Sequence, residues 1–304
     1  MKRIFTILFF TTLLLLTIYY KEDITNYVVD NFIYKKECSI PTPNEYTRYY
    51  DFEFVQRTNN FYPNNKQELY NVFYTILNNG ETNFTFYCGE EYMDCEKDIE
   101  EITSPDNEIL AIINNYVHPF NSYNSISVNM NNFGRITVDI TKLYNEYEIN
   151  VLNNYIDVTF DQIIKDNMTI DQKIKAIHNH IINNSKYDKT WTTTAEDERI
   201  HRSNIAYGPL IEKIGLCGGY TDAMQLFLER INVKSYRIAS KNHIWNYIYL
   251  NNNWKHLDLT WDDPVTNTGK NILQYDYYLI DTKTLENKKD NEHIYNKNFY
   301  LEAK

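Results

Sequence analysis

Apolar and polar positions follow two periods along this chain, and its first stretch follows none. From Ile4 to Tyr20 every residue is apolar or Thr, and Lys2-Arg3 precede the run. At 1.5 Å per residue the run extends roughly 25 Å as a helix, the lower limit for crossing a bilayer. A cleaved leader would end in a small-residue site, yet no Ala, Gly or Ser occurs before Ser39. Residues 1–20 are therefore expected to form a signal anchor, a transmembrane helix. Its N-terminus would be cytoplasmic, because Lys2 and Arg3 precede it while Lys21-Glu22-Asp23 nearly cancel. The rest of the chain would lie outside the cytoplasm, with secretion after cleavage as the alternative.

Residues 21–45 mix charges with Tyr and Ile and break at Pro41-Thr42-Pro43, which reads as a stalk. From 46 to 144 the period alternates. Leu69, Val72, Phe73 and Ile76 share a helix face over 67–77, and Ile109, Ile112, Ile113 and Val117 share another over 107–117. Thr82 to Tyr87 is strand-like. Ser125–Val128 and Arg135–Ile140 flank Asn131-Asn132-Phe133-Gly134, a hairpin signal. This region reads as a small α+β domain of unknown role without a catalytic constellation. Cys88 and Cys95 stand close enough in sequence for a local disulfide, if the compartment is oxidising. Cys38 has no evident partner.

Beyond 145 the helical period returns. Ile149, Leu152 and Ile156 share a face, and Thr169 precedes a helix striped by Ile174, Ile177, Ile181 and Ile182. His178 and His180 stand two apart on it, face different directions and read as structural or surface residues. The chain has only eight Gly, and four fall between Gly208 and Gly219. Such a cluster marks a tight turn or a close approach of backbone. Ala223, Met224, Phe227, Leu228 and Ile231 follow at helical spacing, so Cys217 opens a helix. Free N–H groups and the dipole there favour a thiolate, an activated nucleophile; a small buried Cys is the bland alternative.

Two strand-like runs supply partners. Residues 242–250 and 254–261 alternate about Asn251-Asn252, which suits a two-residue turn pairing Leu250 with Asn253. In that register His243 and Asp258 project from one face as diagonal neighbours, roughly 7 Å between Cα atoms. Ile244, Ile248, Leu250, Leu257, Leu259 and Trp261 would enter the core from the other face. His256 shares the face of Asp258 and is a rival base. Trp245 and Trp254 either line a substrate channel or pack the core.

These segments together resemble the bacterial transglutaminase-like superfamily. The resemblance rests on Ala206-Tyr207-Gly208-Pro209-Leu210, Gly215-Leu216-Cys217-Gly218-Gly219-Tyr220, His243-Ile244-Trp245-Asn246 and Trp254-Lys255-His256-Leu257-Asp258-Leu259-Thr260-Trp261-Asp262-Asp263-Pro264. The helix ending Asn183-Asn184-Ser185-Lys186-Tyr187-Asp188 and the run Tyr275-Asp276-Tyr277-Tyr278-Leu279 fit it as well. It covers roughly 165–285 within a catalytic domain of 145–304. It implies an α+β, papain-like core whose Cys-bearing helix packs on an antiparallel sheet. Cys217 would be the nucleophile, His243 the base and Asp258 its orienting carboxylate, which demotes His256. The implied chemistry is acyl transfer or hydrolysis on peptide or protein amides through a Cys thioester. The Cys217 N–H and Gly218 are oxyanion candidates, and Tyr207 is an aromatic candidate beside the substrate.

The remaining classes narrow this only a little. A net charge of −11 makes nucleic acid a poor partner, since phosphate binding needs clustered cations. The 28 Tyr and 40 Asn are encoded by AT-rich codons and read as genome bias, which also makes chance glycosylation patterns common. No cofactor motif occurs. Asp262-Asp263 reads as a solvated acidic loop, so no metal is expected. Expected partners are a protein or peptide substrate, including cell-surface material, and the membrane through residues 4–20. The competing readings are a cysteine protease or amidase, and a peptide- or cell-wall-binding module without turnover.

Overall fold

The computed structural model describes residues 2–21, 24, 27, 40–88, 91–131, 134–191, 193–195, 200–264 and 272–304. Cys38 and the acidic pair Glu22-Asp23 lie outside the described residues. The apolar N-terminal run folds as helix α1 (Lys2–Tyr19), with Phe5 and Tyr19 each 81% exposed. Its 18 residues rise about 27 Å, short of a hydrocarbon core of roughly 30 Å. Among the described residues no helix is long and apolar enough to cross a membrane. The transmembrane span expected from the sequence is thus not supported by the fold. The last part of the expected stalk packs on the body: Asn44 Nδ2 donates to Asn121 Oδ1 at 2.7 Å, and Asn79 Nδ2 to the Pro41 carbonyl at 3.3 Å.

Helix α2 (Lys66–Asn78) starts on the Asn65 side chain, which accepts from the Glu68 N–H. Strand β1 (Asn83–Tyr87) follows, then α3 (Cys95–Thr103) and α4 (Ile109–Asn115). The period did not predict α3, a short helix that buries only Cys95, Ile99 and Ile102. Strands β2 (Tyr123–Met130) and β3 (Arg135–Lys142) close an antiparallel sheet in the order β1-β3-β2. Gly134 takes φ +71° at their turn, a value that favours Gly. A disulfide joins Cys88 to Cys95 and ties the end of β1 to the start of α3.

Helix α5 (Glu146–Ile163) and helix α6 (Ile170–Asn184) both begin with complete capping boxes, on Asn145 with Glu148 and on Thr169 with Gln172. Strands β4 (Lys186–Tyr187) and β5 (Ile214–Gly215) pair in parallel just before helix α7 (Cys217–Arg230). The second antiparallel sheet, β6 (Ser235–Ala239), β7 (Ile244–Leu250) and β8 (Asn253–Leu257), has β7 at its centre. Asn251 and Asn252 take φ 52° and 61°, so the turn has both central residues left-handed and Leu250 pairs Asn253. Strand β6 lacks a visible alternation because four of its five residues are buried.

The β7 strand is buried on both faces, which corrects the expectation of one core face. Trp245 and Tyr247 join one core with Phe52, Phe73, Ile113 and Tyr300. Ile248 joins the other, with Ile177, Ala223, Phe227 and Leu257. The stretch 46–144 thus shares its core with this sheet. Two buried arginines reinforce the seam. Arg48 pairs with Glu229 at 2.6 Å and donates to the Tyr116 carbonyl, while Arg237 pairs with Asp222 at 2.7 Å and donates to Ser122 Oγ.

The glycine cluster works by close approach rather than by turning, for none of its four members has positive φ. A Cβ on Gly219 would stand 2.3 Å from the Ser203 carbonyl oxygen, and one on Gly208 would stand 2.6 Å from the Ile214 carbonyl oxygen. Backbone cannot yield as a flexible side chain can. Gly219→Ala is expected to cost about 1–3 kcal/mol of stability, the range for overpacking; denaturant unfolding measures it, and an unchanged midpoint would contradict the packing described.

Candidate active site

Cys217 is the first residue of α7, free and only partly exposed. Leu216 precedes it in extended conformation and its side chain caps none of the helix amides. Among the described residues no N-cap side chain therefore meets those first-turn N–H groups. The Leu216 N–H donates to the Ser203 carbonyl at 2.8 Å, which fixes the entry to the helix. Gly218 lies against Asn204: a Cβ there would be 2.5 Å from Asn204 Oδ1. Asn204, an exposed residue outside every motif considered above, thus brings a carboxamide to the helix N-terminus.

Hydrogen bonds between α7 and β7 set the distance from thiol to imidazole. Thr221 Oγ1, one turn after Cys217, donates to the Ile244 carbonyl at 2.9 Å, and Asn246 Nδ2 donates back to the Thr221 carbonyl at 3.1 Å. His243 immediately precedes Ile244. Its own N–H donates to Ser240 Oγ at 3.2 Å, so the turn before β7 is tied as well.

His243 Nε2 lies 2.5 Å from Asp258 Oδ2, and Cys217 is near enough to the ring to raise its pKa. With Nε2 taken by the carboxylate, Nδ1 is the ring nitrogen left for a second partner. Burial by itself would lower the pKa of His243. The Asp258 charge and hydrogen bond, followed by those of Cys217, outweigh it and push the imidazole up to about 10. Burial would likewise raise Asp258, yet the charge and hydrogen bond of His243, then the hydrogen bond of His293, hold it well below the ordinary carboxylate range.

Asp258 is placed by an ending strand rather than by a continuing one. β8 stops at Leu257, and Asp258 becomes the N-cap of a short helix α8 (Leu259–Asp262), with Oδ1 accepting from the Thr260 N–H at 2.8 Å. The strand expected to reach residue 261 is therefore too long, and Trp261 packs against the first core, not the second. An N-capping Asp at that point satisfies orphan donors that a longer strand would not have.

His256, the rival base, is fully occupied elsewhere. Its Nδ1 accepts from Trp245 Nε1 at 3.0 Å, which leaves Nε2 to donate to Thr282 Oγ1 at 3.2 Å. Burial lowers its pKa to about 3, so it is a neutral core residue. Trp245 is completely buried, and Trp254 stacks on Tyr247 with ring centroids 5.1 Å apart; both pack the sheet. Tyr207 is partly buried against the second core. Asp262 and Asp263 are buried, contrary to the solvated loop expected. Asp262 Oδ2 meets His178 Nε2 at 3.1 Å, and Tyr220 donates its hydroxyl to Asp263 at 2.5 Å. No period reports such a contact, because the partners lie on α6 and α7.

One functional neighbour escaped the sequence reading. His293 Nε2 lies 2.9 Å from the same Asp258 Oδ2. His243, Asp258 and His293 offer ligand atoms within 4.8 Å of one another. A tetrahedral zinc with bonds near 2 Å would hold neighbouring ligand atoms roughly 3.3 Å apart. The imidazole–carboxylate distances of 2.5 and 2.9 Å are those of a shared proton instead.

No family model matches this chain, and no curated protein matches it. Among solved structures, a TGase aligns with a TM-score of 0.32 and 12% identity, covering 49% of this chain and 48% of that one. A candidate cysteine protease from Cytophaga hutchinsonii aligns with a TM-score of 0.27 and 12% identity, covering 49% of this chain and 65% of that one. This chain thus spans about half and about two thirds of the two proteins. Likeness at this level carries no argument, and the site has to be judged on its own geometry.

That geometry has a thermodynamic signature. Folded His243 keeps its proton where the unfolded residue, near 6.5, would lose it, so the stabilisation from its pair is full below that value and lost as pH rises through about 10. The depressed Asp258 loses its share on the other side, as pH falls below the carboxylate range. Asp258→Asn should cost roughly 3–5 kcal/mol at pH 6, the scale for breaking a buried pair. Urea unfolding of both proteins across pH should show that gap shrinking towards pH 10; a gap independent of pH would contradict the pairing.

Proposed function

We propose that the protein is a transglutaminase-like thiol enzyme acting on peptide or protein amides. The observation that carries this reading is His243 bonded to the buried Asp258 carboxylate, with Cys217 close enough to the imidazole to raise its pKa. A cationic imidazole beside a helix N-terminal sulfur favours a Cys217 thiolate paired with His243 imidazolium. The thiolate attacks the amide carbon and forms an S–C bond, and the carbonyl oxygen takes the displaced electron pair. As the intermediate collapses, the C–N bond breaks and His243 gives its proton to the departing amine. A thioester remains. An incoming amine or water then attacks it, loses its proton to neutral His243 and releases Cys217. The Cys217 N–H at the helix start is the candidate oxyanion donor.

A peptide-holding module without turnover would not need an imidazole whose proton is set by a buried carboxylate, which is why the enzymatic reading is preferred. The site should give rapid alkylation of Cys217 at pH 6, read by peptide mass spectrometry, slowed roughly tenfold or more by His243→Ala. It should also release ammonia from glutamine peptides, abolished in Cys217→Ser. A Cys217 that reacts only as an ordinary thiol above pH 8 would sink the enzyme reading.

The same proposal places the enzyme outside the cytoplasm, attached to the membrane through residues 4–20. The Cys88–Cys95 disulfide suits an oxidising compartment, and the exposed apolar surface of α1 suits lipid contact. Fractionation of cells should put the full-length protein in the membrane pellet with Cys88 and Cys95 protected from alkylation until reduced. Recovery in the soluble cytoplasm with both thiols free would overturn this placement.

A further inference from the structure

His293 lies in the C-terminal segment beyond helix α9 (Thr282–Lys288), outside every motif that points to the thiol site. Its Nε2 is 2.9 Å from Asp258 Oδ2, the oxygen that also accepts from His243, and its Nδ1 is 2.7 Å from Asp290 Oδ1. Both ring nitrogens therefore face carboxylate oxygens. Ionised carboxylates only accept, so both nitrogens must carry hydrogen, which only the imidazolium does. Asp290 is itself held in place: Tyr277 donates its hydroxyl to the other oxygen at 3.1 Å. The His293 ring is 6% exposed. It stacks on Tyr277 with centroids 4.7 Å apart and meets the edges of Trp245 and Trp261 at 4.7 and 5.2 Å.

We propose that His293 is a fixed cationic positioning residue for the thiol site, clamping Asp258 Oδ2 against His243 and setting the pH range in which His243 holds its charge. This rests on the proposed function for its consequence, though not for the charge of His293 itself. The surroundings of the ring are consistent with that charge. Asp290 on its own segment and Asp258 at the start of α8 are the acids facing it. His243 before β7 is the nearest cation, with ring centroids 5.1 Å apart, and His256 on β8 is neutral. Tyr277 offers a ring face and a hydroxyl bound to Asp290. Asp290, His293, Asp258 and His243 then form one line of alternating charge.

Two roles follow, and they are separable. As a donor, His293 stops Asp258 from rotating its Oδ2 away from His243. As a cation, it shares the negative charge of Asp258 and so weakens the hold of His243 on its proton. His293→Gln keeps a side-chain donor and removes the charge, whereas His293→Ala removes both.

The test is the pH profile of Cys217 alkylation by iodoacetamide in the full-length protein and in both variants, with ring ¹⁵N spectra of wild-type His293 at pH 8. In both variants the rise of the rate with pH should move upward by about one unit, the effect of losing a nearby buried cation. The plateau rate should fall about tenfold in His293→Ala and recover most of that loss in His293→Gln. Both ring nitrogens of His293 should carry hydrogen at pH 8. A wild-type profile in His293→Gln, or a neutral His293 tautomer at pH 8, overturns the proposal. A wild-type profile without any reactivity below pH 7 would instead defeat the thiol-enzyme reading, and the ¹⁵N signature would still decide the charge of His293. If His293→Ala loses its circular dichroism signal, the Gln profile and that signature decide alone.

Discussion

A single buried carboxylate constrains the site. Asp258 is 2% exposed, and an unpaired charge at that depth would cost several kcal/mol. Its four acceptor positions are met by four donors: the N–H groups of Thr260 and Trp261 on Oδ1, and the imidazoles of His243 and His293 on Oδ2. Each donor explains a piece of structure. The two amides require β8 to stop and α8 to begin. His243 requires the turn before β7, and His293 requires the C-terminal segment to return over the sheet.

The sheet β6–β7–β8 is where these requirements meet. One face of β7 presents Trp245 and Tyr247 to the core shared with residues 52–140, and the other presents Asn246 and Ile248 to α7. A change in the packing of the first 140 residues is therefore felt by the strand that carries the base. The buried Arg48–Glu229 and Arg237–Asp222 pairs act in the same sense, because each joins a segment near the first sheet to α7 or β6. Guanidinium groups suit this place, for they also satisfy carbonyls at the ends of neighbouring elements.

Much of the local structure was legible in the chain. The helix faces of Leu69–Ile76 and Ile174–Ile182, the Thr169 capping box, the Asn251-Asn252 turn and the helix opening at Cys217 all follow from signals within one turn or one hairpin. The pairing of Leu250 with Asn253 was legible too, although Asp258 lies just past β8 as a helix cap. Strand β6 and helices α3 and α8 were not legible, because burial on both faces or extreme shortness leaves no period to read. Asp262 and Asp263 look like a solvated pair in sequence and are buried only because His178 and Tyr220 arrive from distant helices.

The sequence by itself singled out candidates for chemistry: a Cys at a helix start among glycines, and a His and an Asp flanking one hairpin. Such features are encoded within short windows by backbone preference and side-chain period. Tertiary structure alone decided what those residues experience. It kept His256 neutral by burying it, left Asn204 beside the helix N-terminus, and brought His293 from 35 positions away onto Asp258. Protonation is governed by burial and by charges a few ångströms away in space, and no local pattern along the chain records those.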